Sequence, residues 1–385
     1  MNHEKIIVLY VVETMGGGVR KHVLQLIDGL DSNQFELYLI YGPRYDHVFA
    51  SCMNELKAQQ KVHLIYMPEL GRALNLKKDI AAIHKTTEII RHIKPDIVHC
   101  HSSKAGIIGR VAAKICGVHK VFYTPHAYAF DSPEFSVAKK ELFTMAERWA
   151  SRCATTCTFN VSNGEYRNAL KHHIDRPAKF NVIYNGVPDL PLRSRSEART
   201  ELGLDGVVPE DALIVGCAAW LDARKDPMTF MRIAERILAN RLEIHFVYIG
   251  DGDLHDQVIA FIKQHHLENN IHVLGYRDDA CQLVTAFNVY LLASLYEGMP
   301  YSLIEALQAG VPIAATRTTG NDEVVIPGVN GELFEVGDVD GGTRVVSQLL
   351  AASPHAAQVR QTYTDRFTEQ EMLDRITQWY VRKYQ

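Results

Sequence analysis

Residues 297–313, EGMPYSLIEALQAGVPI, set the reading of the whole chain. Just ahead of them 289–293 (VYLLA) is a short apolar run, and 311–315 (VPIAA) is another; both read as strands. Between them Pro300 suits the first turn of a helix, where its missing N–H costs little, and Ser302, Leu303, Ile304 and Leu307 suit its continuation. Strand, helix and strand in this succession make one parallel unit. Glu297 then falls in the loop ahead of the helix. Glu305 falls about one turn inside it, some 7–10 Å away along the axis at about 1.5 Å per residue. That separation suits two ends of one ligand and is too long for two carboxyls sharing a proton. The helix start adds N–H groups and the positive end of a dipole, which together favour a diphosphate.

The same alternation runs outward from this unit. Residues 6–12 (IIVLYVV) form a continuous apolar, largely β-branched run, as expected of a strand covered on both faces. Val19, Val23, Leu26, Ile27 and Leu30 then recur at helical spacing. Segments 37–41, 62–66, 97–100 and 120–124 read as strands, with helical patterns at 76–93 and 105–116. Further on, 213–218, 244–249 and 271–274 read as strands, and 228–238 and 258–265 as helices. Residues 185–191, NGVPDLP, join turn chemistry to two prolines and are the expected linker. The expected architecture is therefore α/β, with two doubly wound Rossmann-like domains, residues 1–187 and 188–367, facing across a cleft at the carboxyl ends of their strands. Residues 368–385 hold a last helix, predicted over 369–384, with Met372, Ile376, Trp379 and Tyr380 on one side.

Composition agrees. Of 385 residues 47% are hydrophobic and 22% charged, which excludes collagen-like, low-complexity and disordered classes. One core rarely grows past roughly 250–300 residues, so two domains are expected. The balance of 41 basic against 45 acidic residues gives −4 and no large single-sign field, so nucleic acid is not an expected partner. The first apolar run is short and soon meets Glu13, unlike a secretory leader, and no stretch reaches the roughly 18 apolar residues of a membrane span. A cytoplasmic location follows as the expectation. The seven cysteines are scattered; Cys153 and Cys157 form a CxxxC pair without further ligands nearby, and reduced, mostly buried thiols are expected.

The pattern Glu297-x7-Glu305 within GMPYSLIEALQAGVPI resembles the signature of retaining glycosyltransferase family 4, whose members have the two-domain GT-B fold. Other stretches agree in order: Gly16-Gly17-Gly18 after the first strand, PDIVHCHSSKAG (95–106), YTPHAYAF (123–130), VIYNGV (182–187), IGDGDL (249–254) and LGYRDD (274–279). The tail helix resembles the family's helix that returns to the first domain. HSSKAG and TPHAY are similar to stretches of bacterial polysaccharide-assembly members.

The resemblance implies a hexosyltransferase. A sugar would pass from a nucleotide diphosphate donor, UDP-linked on family prevalence, to a hydroxyl of a glycan or polyprenyl-diphosphate-linked saccharide. Configuration would be retained, with no metal ion and no cofactor. Retention in this family implies front-side attack, the leaving phosphate taking the acceptor proton. On the matching positions, Glu305 would accept hydrogen bonds from the ribose and Glu297 would bind hydroxyls of the transferred sugar. Backbone at Gly298, Met299, Pro300, Tyr301 and Ser302 would face sugar or phosphate. Lys225, in LDARKDP, would neutralise the diphosphate. Gly16 and Gly17 would admit the ligand to the backbone, with Arg20 and Lys21 as further cations. Tyr276 and Arg277 would lie beside the base. His126 would contact the transferred sugar, completing a catalytic set with Glu297 and Lys225. Ser102 and Lys104 would meet the acceptor; Ser102 is also a plausible helix N-cap.

Two positions depart from the family pattern. Ala219-Trp220-Leu221 stands where Gly-Arg-Leu is usual, so the phosphate-gripping arginine is replaced by Trp220. Arg224 is the candidate substitute, although neighbouring positions are expected to point apart. Ala127 follows His126 where glycine is usual. Asp251-Gly252-Asp253 has the look of a metal-binding DxD but reads as a tight turn after a strand. Alternatives to the transferase are a non-catalytic nucleotide-sugar-binding partner of another transferase and a sugar-nucleotide 2-epimerase. Arg72, Lys77, Lys78, Lys139 and Lys140 are candidates for weak, peripheral attachment to the inner face of the cell membrane, each basic residue contributing about 1 kcal/mol.

Overall fold

A computed structural model describes residues 5–71, 75–132, 135–352 and 354–382. The chain forms two compact units, one of residues 1–185 with 370–385, the other of residues 186–369. Arg72, and residues 383 and 384 of the predicted last helix, lie outside the described residues.

The first unit runs β1 (Ile6–Met15), α1 (Gly17–Gly29), β2 (Phe35–Tyr45), α2 (His47–Ala58), β3 (His63–Tyr66), α3 (Leu76–Ile93), β4 (Ile97–His101), α4 (Ser103–Ile115), β5 (Lys120–Thr124), α5 (Val137–Ala154), β6 (Cys157–Asn160), α6 (Asn163–Lys171) and β7 (Phe180–Val182). Its seven strands are all parallel, in the order β3-β2-β1-β4-β5-β6-β7. Pleating explains the unbroken apolar run of β1. Val8, Tyr10 and Val12 enter the core cluster that holds Val23 and Leu26 of α1, while Leu9 and Val11 enter the cluster on the opposite face with Ala105, Ile108 and Ala112 of α4. Fully burying each such side chain contributes roughly 1.5–3 kcal/mol.

The second unit runs α7 (Arg195–Glu201), β8 (Leu213–Ala218), α8 (Pro227–Leu238), β9 (Ile244–Ile249), α9 (His255–Gln264), β10 (Ile271–Val273), α10 (Ala280–Leu283), β11 (Val289–Leu292), α11 (Tyr301–Gln308), β12 (Ile313–Thr316), α12 (Asn321–Val324), β13 (Gly331–Phe334), α13 (Val339–Ala352) and α14 (Ala356–Arg366). The parallel sheet has the order β10-β9-β8-β11-β12-β13. Entry to and exit from this unit are bound side by side, since Val187 bridges Thr368 and its N–H donates to the Phe367 carbonyl.

The last helix, α15 (Glu369–Val381), contributes Met372, Leu373, Ile376 and Tyr380 to the core of the first unit, with Trp379 packed at its edge. A Cβ on Gly29 would stand 2.2 Å from Leu373 Cδ1, so any other residue there would push the leucine side chain aside where α1 meets α15. The Tyr380 hydroxyl lies 2.6 Å from His99 Nδ1 on β4. The helix therefore returns to the first sheet.

Some elements were not foreseen. β6 (CTFN), β7 (FNV) and β13 (GELF) are three or four residues long and carry polar side chains, so they lack an apolar run. Pro300 is the N-cap of α11 rather than a residue of its first turn, with φ −76 and ψ 122. The cysteines are free thiols, with Cys100, Cys157 and Cys217 buried and Cys153 exposed.

Candidate functional site

In each sheet the direction of winding reverses between two central strands, β8 and β11 in the second unit and β1 and β4 in the first. The loops leaving such strands diverge and open a crevice at the carboxyl edge. In the second unit the loop after β8 carries Trp220, Arg224 and Lys225, and the loop after β11 carries Glu297. Lys225 Nζ lies 2.5 Å from Glu297 Oε1, and Arg224 Nη1 lies 3.8 Å from Glu297 Oε2. Lys225 and Glu297 are both buried. Burial works against charge on Glu297, but Lys225 and then Arg224 outweigh it and hold the carboxyl below its usual range. The adjacent Arg224 and Lys225 do not point apart, contrary to expectation. The Leu295 N–H donates to the Arg224 carbonyl, tying the two loops together so that both side chains reach one carboxylate.

The segment 298–301 is buried and leads straight into α11, which carries half-buried Ser302 and buried Glu305. Gly320, after β12, supports it from behind. Its φ is +84, and a Cβ there would stand 2.2 Å from the Gly298 carbonyl oxygen. Sequence reading missed this glycine. Tyr276, after β10, packs against Trp220 with ring centroids 5.6 Å apart, so the residue replacing the family arginine joins an aromatic pair. Arg277 instead pairs with Asp279. Asp251 accepts the Gly252 N–H within the turn after β9, and that turn bonds back to Leu221.

The first unit arranges its crevice differently. Glu13 sits on β1 opposite Gly42 and Pro43, where the register with β2 slips by one residue. Its carboxylate accepts the N–H groups of Lys104 and Ala105 at the start of α4. Ser102 is the N-cap by position, with φ +68, but its hydroxyl makes no capping bond; Glu13 does that work. Lys104 Nζ pairs with Asp79 at 2.6 Å. Gly16 is the N-cap of α1, and the N–H of Gly17 donates to Asp46, which also holds Arg20 at 3.0 Å. A charge inside an otherwise apolar strand was the signal that could have marked Glu13.

His126 follows β5. It and Ala127 both adopt positive φ, +54 and +82, a conformation costly for residues with a Cβ. The Glu165 carboxylate clamps this turn by accepting the Ala127 N–H at 2.5 Å and the Val161 N–H at 3.0 Å. His126 Nε2 lies 3.1 Å from His101 Nδ1, and the His22 ring packs edge-on against His126. His22 Nδ1 lies 3.3 Å from Asn185 Oδ1. Since a carbonyl oxygen only accepts, Nδ1 carries the proton and Nε2 the lone pair. Burial first, then the neighbouring rings, drive the pKa values of His101 and His126 well down, and burial takes His22 to about 4. The three rings are therefore neutral at pH 7. They are the group of three ligand-type side chains gathered among the described residues, with one nitrogen of each within 4.8 Å of the others. Neutral imidazoles can bind a metal or bond to hydroxyls, and the closest pair here already shares a hydrogen bond.

The structure thus gathers Arg224, Lys225 and Glu297 ahead of Glu305 in one unit, and His126, His101 and His22 in the other. Comparison with known proteins gives this geometry a family. Residues 16–189 match the profile described as Glycosyltransferase Family 4, and residues 204–366 that described as Glycosyl transferases group 1. The UDP-Gal:alpha-D-GlcNAc-diphosphoundecaprenol alpha-1,3-galactosyltransferase of Escherichia coli is 31% identical over 350 residues, covering 88% of this chain and 86% of that protein. Among solved structures, Anabaena Alr3699/HepE in complex with UDP superposes with a TM-score of 0.77 at 20% identity, covering 97% of this chain and 99% of that one. Sucrose-phosphate synthase from Thermosynechococcus elongatus does so with 0.80 at 17% identity, covering 98% of each. At such identities the structures establish the fold, which is GT-B, while the sequence matches establish kinship: this chain belongs to the family 4 glycosyltransferases.

Proposed function

We propose that this glycosyltransferase moves a hexose from a UDP-sugar to a hydroxyl of a lipid-diphosphate-linked saccharide, with retention of configuration and without a metal ion, in cell-surface polysaccharide assembly. The observation that carries the reading is Glu297 held between Lys225 and Arg224 ahead of the α11 start. On this reading the two cations take up the diphosphate charge that develops as the glycosidic C–O bond breaks. Arg224 then takes the part of the arginine missing at Trp220. Glu297, kept ionised, accepts from hydroxyls of the sugar, and Glu305 accepts from the ribose. An ionised, doubly paired carboxylate is poised neither as an acid nor as a nucleophile. That favours front-side attack, in which the acceptor oxygen bonds to the anomeric carbon on the face the phosphate leaves and its proton passes to a phosphate oxygen. His126, neutral and clamped, would bond to the transferred sugar.

The donor reading is supported by UDP in the Anabaena complex and by the UDP-Gal named for the E. coli relative; the acceptor reading is supported by that relative's diphosphoundecaprenol substrate. A second reading, a non-catalytic nucleotide-sugar binder, draws on Trp220 and Ala127 standing where the family has arginine and glycine.

Thermal unfolding with a panel of nucleotide sugars tests the donor. A UDP-sugar at 100 times its Kd is expected to add about 2.7 kcal/mol, and GDP- or ADP-sugars much less. Equal protection by all of them would remove the UDP assignment. Transfer is expected to survive a chelator and to vanish in Glu297→Ala and Glu305→Ala. Folded variants that still transfer at wild-type rates would sink the catalytic reading.

A further inference from the structure

Helix α5 is built inside out. Its inward face carries Thr144, Glu147 and Ser151 beside Ala150 and Ala154, with Glu147 ion-paired at 2.6 Å to the fully buried Arg110 of α4. Its outward face carries Leu142, Met145 and Trp149, one stripe at i, i+3 and i+7, with 52, 51 and 49% of their surface exposed; Val137 at its start is 84% exposed. A soluble helix normally shows the reverse, and an apolar stripe left in water marks a surface with a partner.

The rim identifies the partner by its charge. Lys139 stands beside the stripe at the start of the helix, and Arg148 and Arg152 lie along its other side with Glu141, the exposed acid of α5; Lys140, at i−4, i−7 and i−11 from Thr144, Glu147 and Ser151, belongs to the inward side. The two arginines are held flat to the surface by the carbonyls of His172, His173 and Ile174, which orders them without removing their charge. Apolar side chains including a tryptophan, bordered by Lys139 on one side and two fixed arginines on the other, match the interfacial zone of an anionic bilayer, where the stripe enters the acyl boundary and the cations meet phosphates. Placement fits as well. α5 follows β5, so it begins at the carboxyl edge of the sheet, the edge that carries His126. Helix α4 packs between α5 and α3, and in this same layer the start of α3 exposes Leu76 and Ile80 beside Lys77 and Lys78.

We infer that the outward face of α5 docks on an anionic lipid surface and so brings the enzyme to its lipid-linked acceptor. The inference deepens the acceptor reading and rests on it for its purpose, but lipid binding needs neither donor nor acceptor, so the two can fail separately. The test is sedimentation of the full chain with phosphatidylcholine vesicles, with and without phosphatidylglycerol. Binding is expected to the anionic vesicles, weakening with salt. The triple variant Leu142→Ser, Met145→Ser, Trp149→Ser is expected to keep its melting temperature and to bind at least about tenfold more weakly. Lys139→Gln is expected to lose about fivefold. Wild-type protein left in the supernatant with anionic vesicles, or a triple variant that binds as well as wild type, overturns the inference. So does a wild-type dimer that the triple variant turns into a monomer in light scattering, which would make the stripe a self-association face. Transfer to a water-soluble acceptor analogue reads catalysis alone, and should be equal in wild type and triple variant.

Discussion

At the winding reversal of the first unit, the chain occupies its helix starts with its own acids: Glu13 holds the first N–H groups of α4, and Asp46 holds Gly17 and Arg20 at α1. Lys104 pairs with Asp79 there, and uncharged histidines stand beside these pairs. At the matching point of the second unit, two cations flank one carboxylate ahead of α11. The same topology thus yields helix starts capped by the chain's own acids beside neutral histidines in one sheet, and two cations on one carboxylate in the other.

The comparison can be broken most forcefully at Lys225. Lys225→Ala removes the nearer cation and is expected to lower transfer about 10²–10³-fold, judged from the usual effect of deleting one charge-stabilising group. A loss under tenfold in kcat would mean that the second unit does not work through charge.

The neutral side is tested with acid. His22 has a pKa of about 4 when folded against an ordinary 6.5, so the unfolded chain takes up protons first. Its contribution is complete above pH 6.5 and is lost as pH falls towards 4, roughly 3 kcal/mol in all. Glu165 acts in the opposite sense, since burial raises its carboxyl to about 7 and the folded state gains stability as pH falls from there. Melting temperature against pH for wild type and His22→Gln separates the two. The variant is expected to show the shallower decline below pH 6.5, and parallel curves would mean that the histidine cluster is not held neutral by burial.

The smallest effect sharpens the picture of the His126 turn. Ala127 at φ +82 carries strain that glycine does not, so Ala127→Gly is expected to raise stability by about 1 kcal/mol, seen as a higher melting temperature. A lower one would show that the Ala127 methyl packs usefully in this turn.

Much of this was legible in the sequence. β5, β8 and β9 lie at the predicted residues because each is a compact apolar run between turn residues, and α3 because its period is unbroken over 76–93. Glu297 and Glu305 were singled out because a spacing between two carboxylates and a helix start is a local property that also resembles the family motif, and Lys225 because LDARKDP resembles the family's lysine segment. Glu13, Glu165 and Gly320 escaped because each acts on a segment distant in sequence: a strand residue caps a later helix, a helix residue clamps an earlier turn, and a glycine backs a loop some twenty residues before it.

Helix α5 escaped for a further reason. Periodicity assumes that apolar means inward, and here Arg110 and Glu147 satisfy each other inside while Leu142, Met145 and Trp149 remain outside. The order of residues determined the alternation, the two sheets and the carboxylate spacing, because those follow from neighbours along the chain. Which charges cancel, which helix start is already filled and which face meets water were decided only by packing, since each depends on partners that folding alone brings within reach.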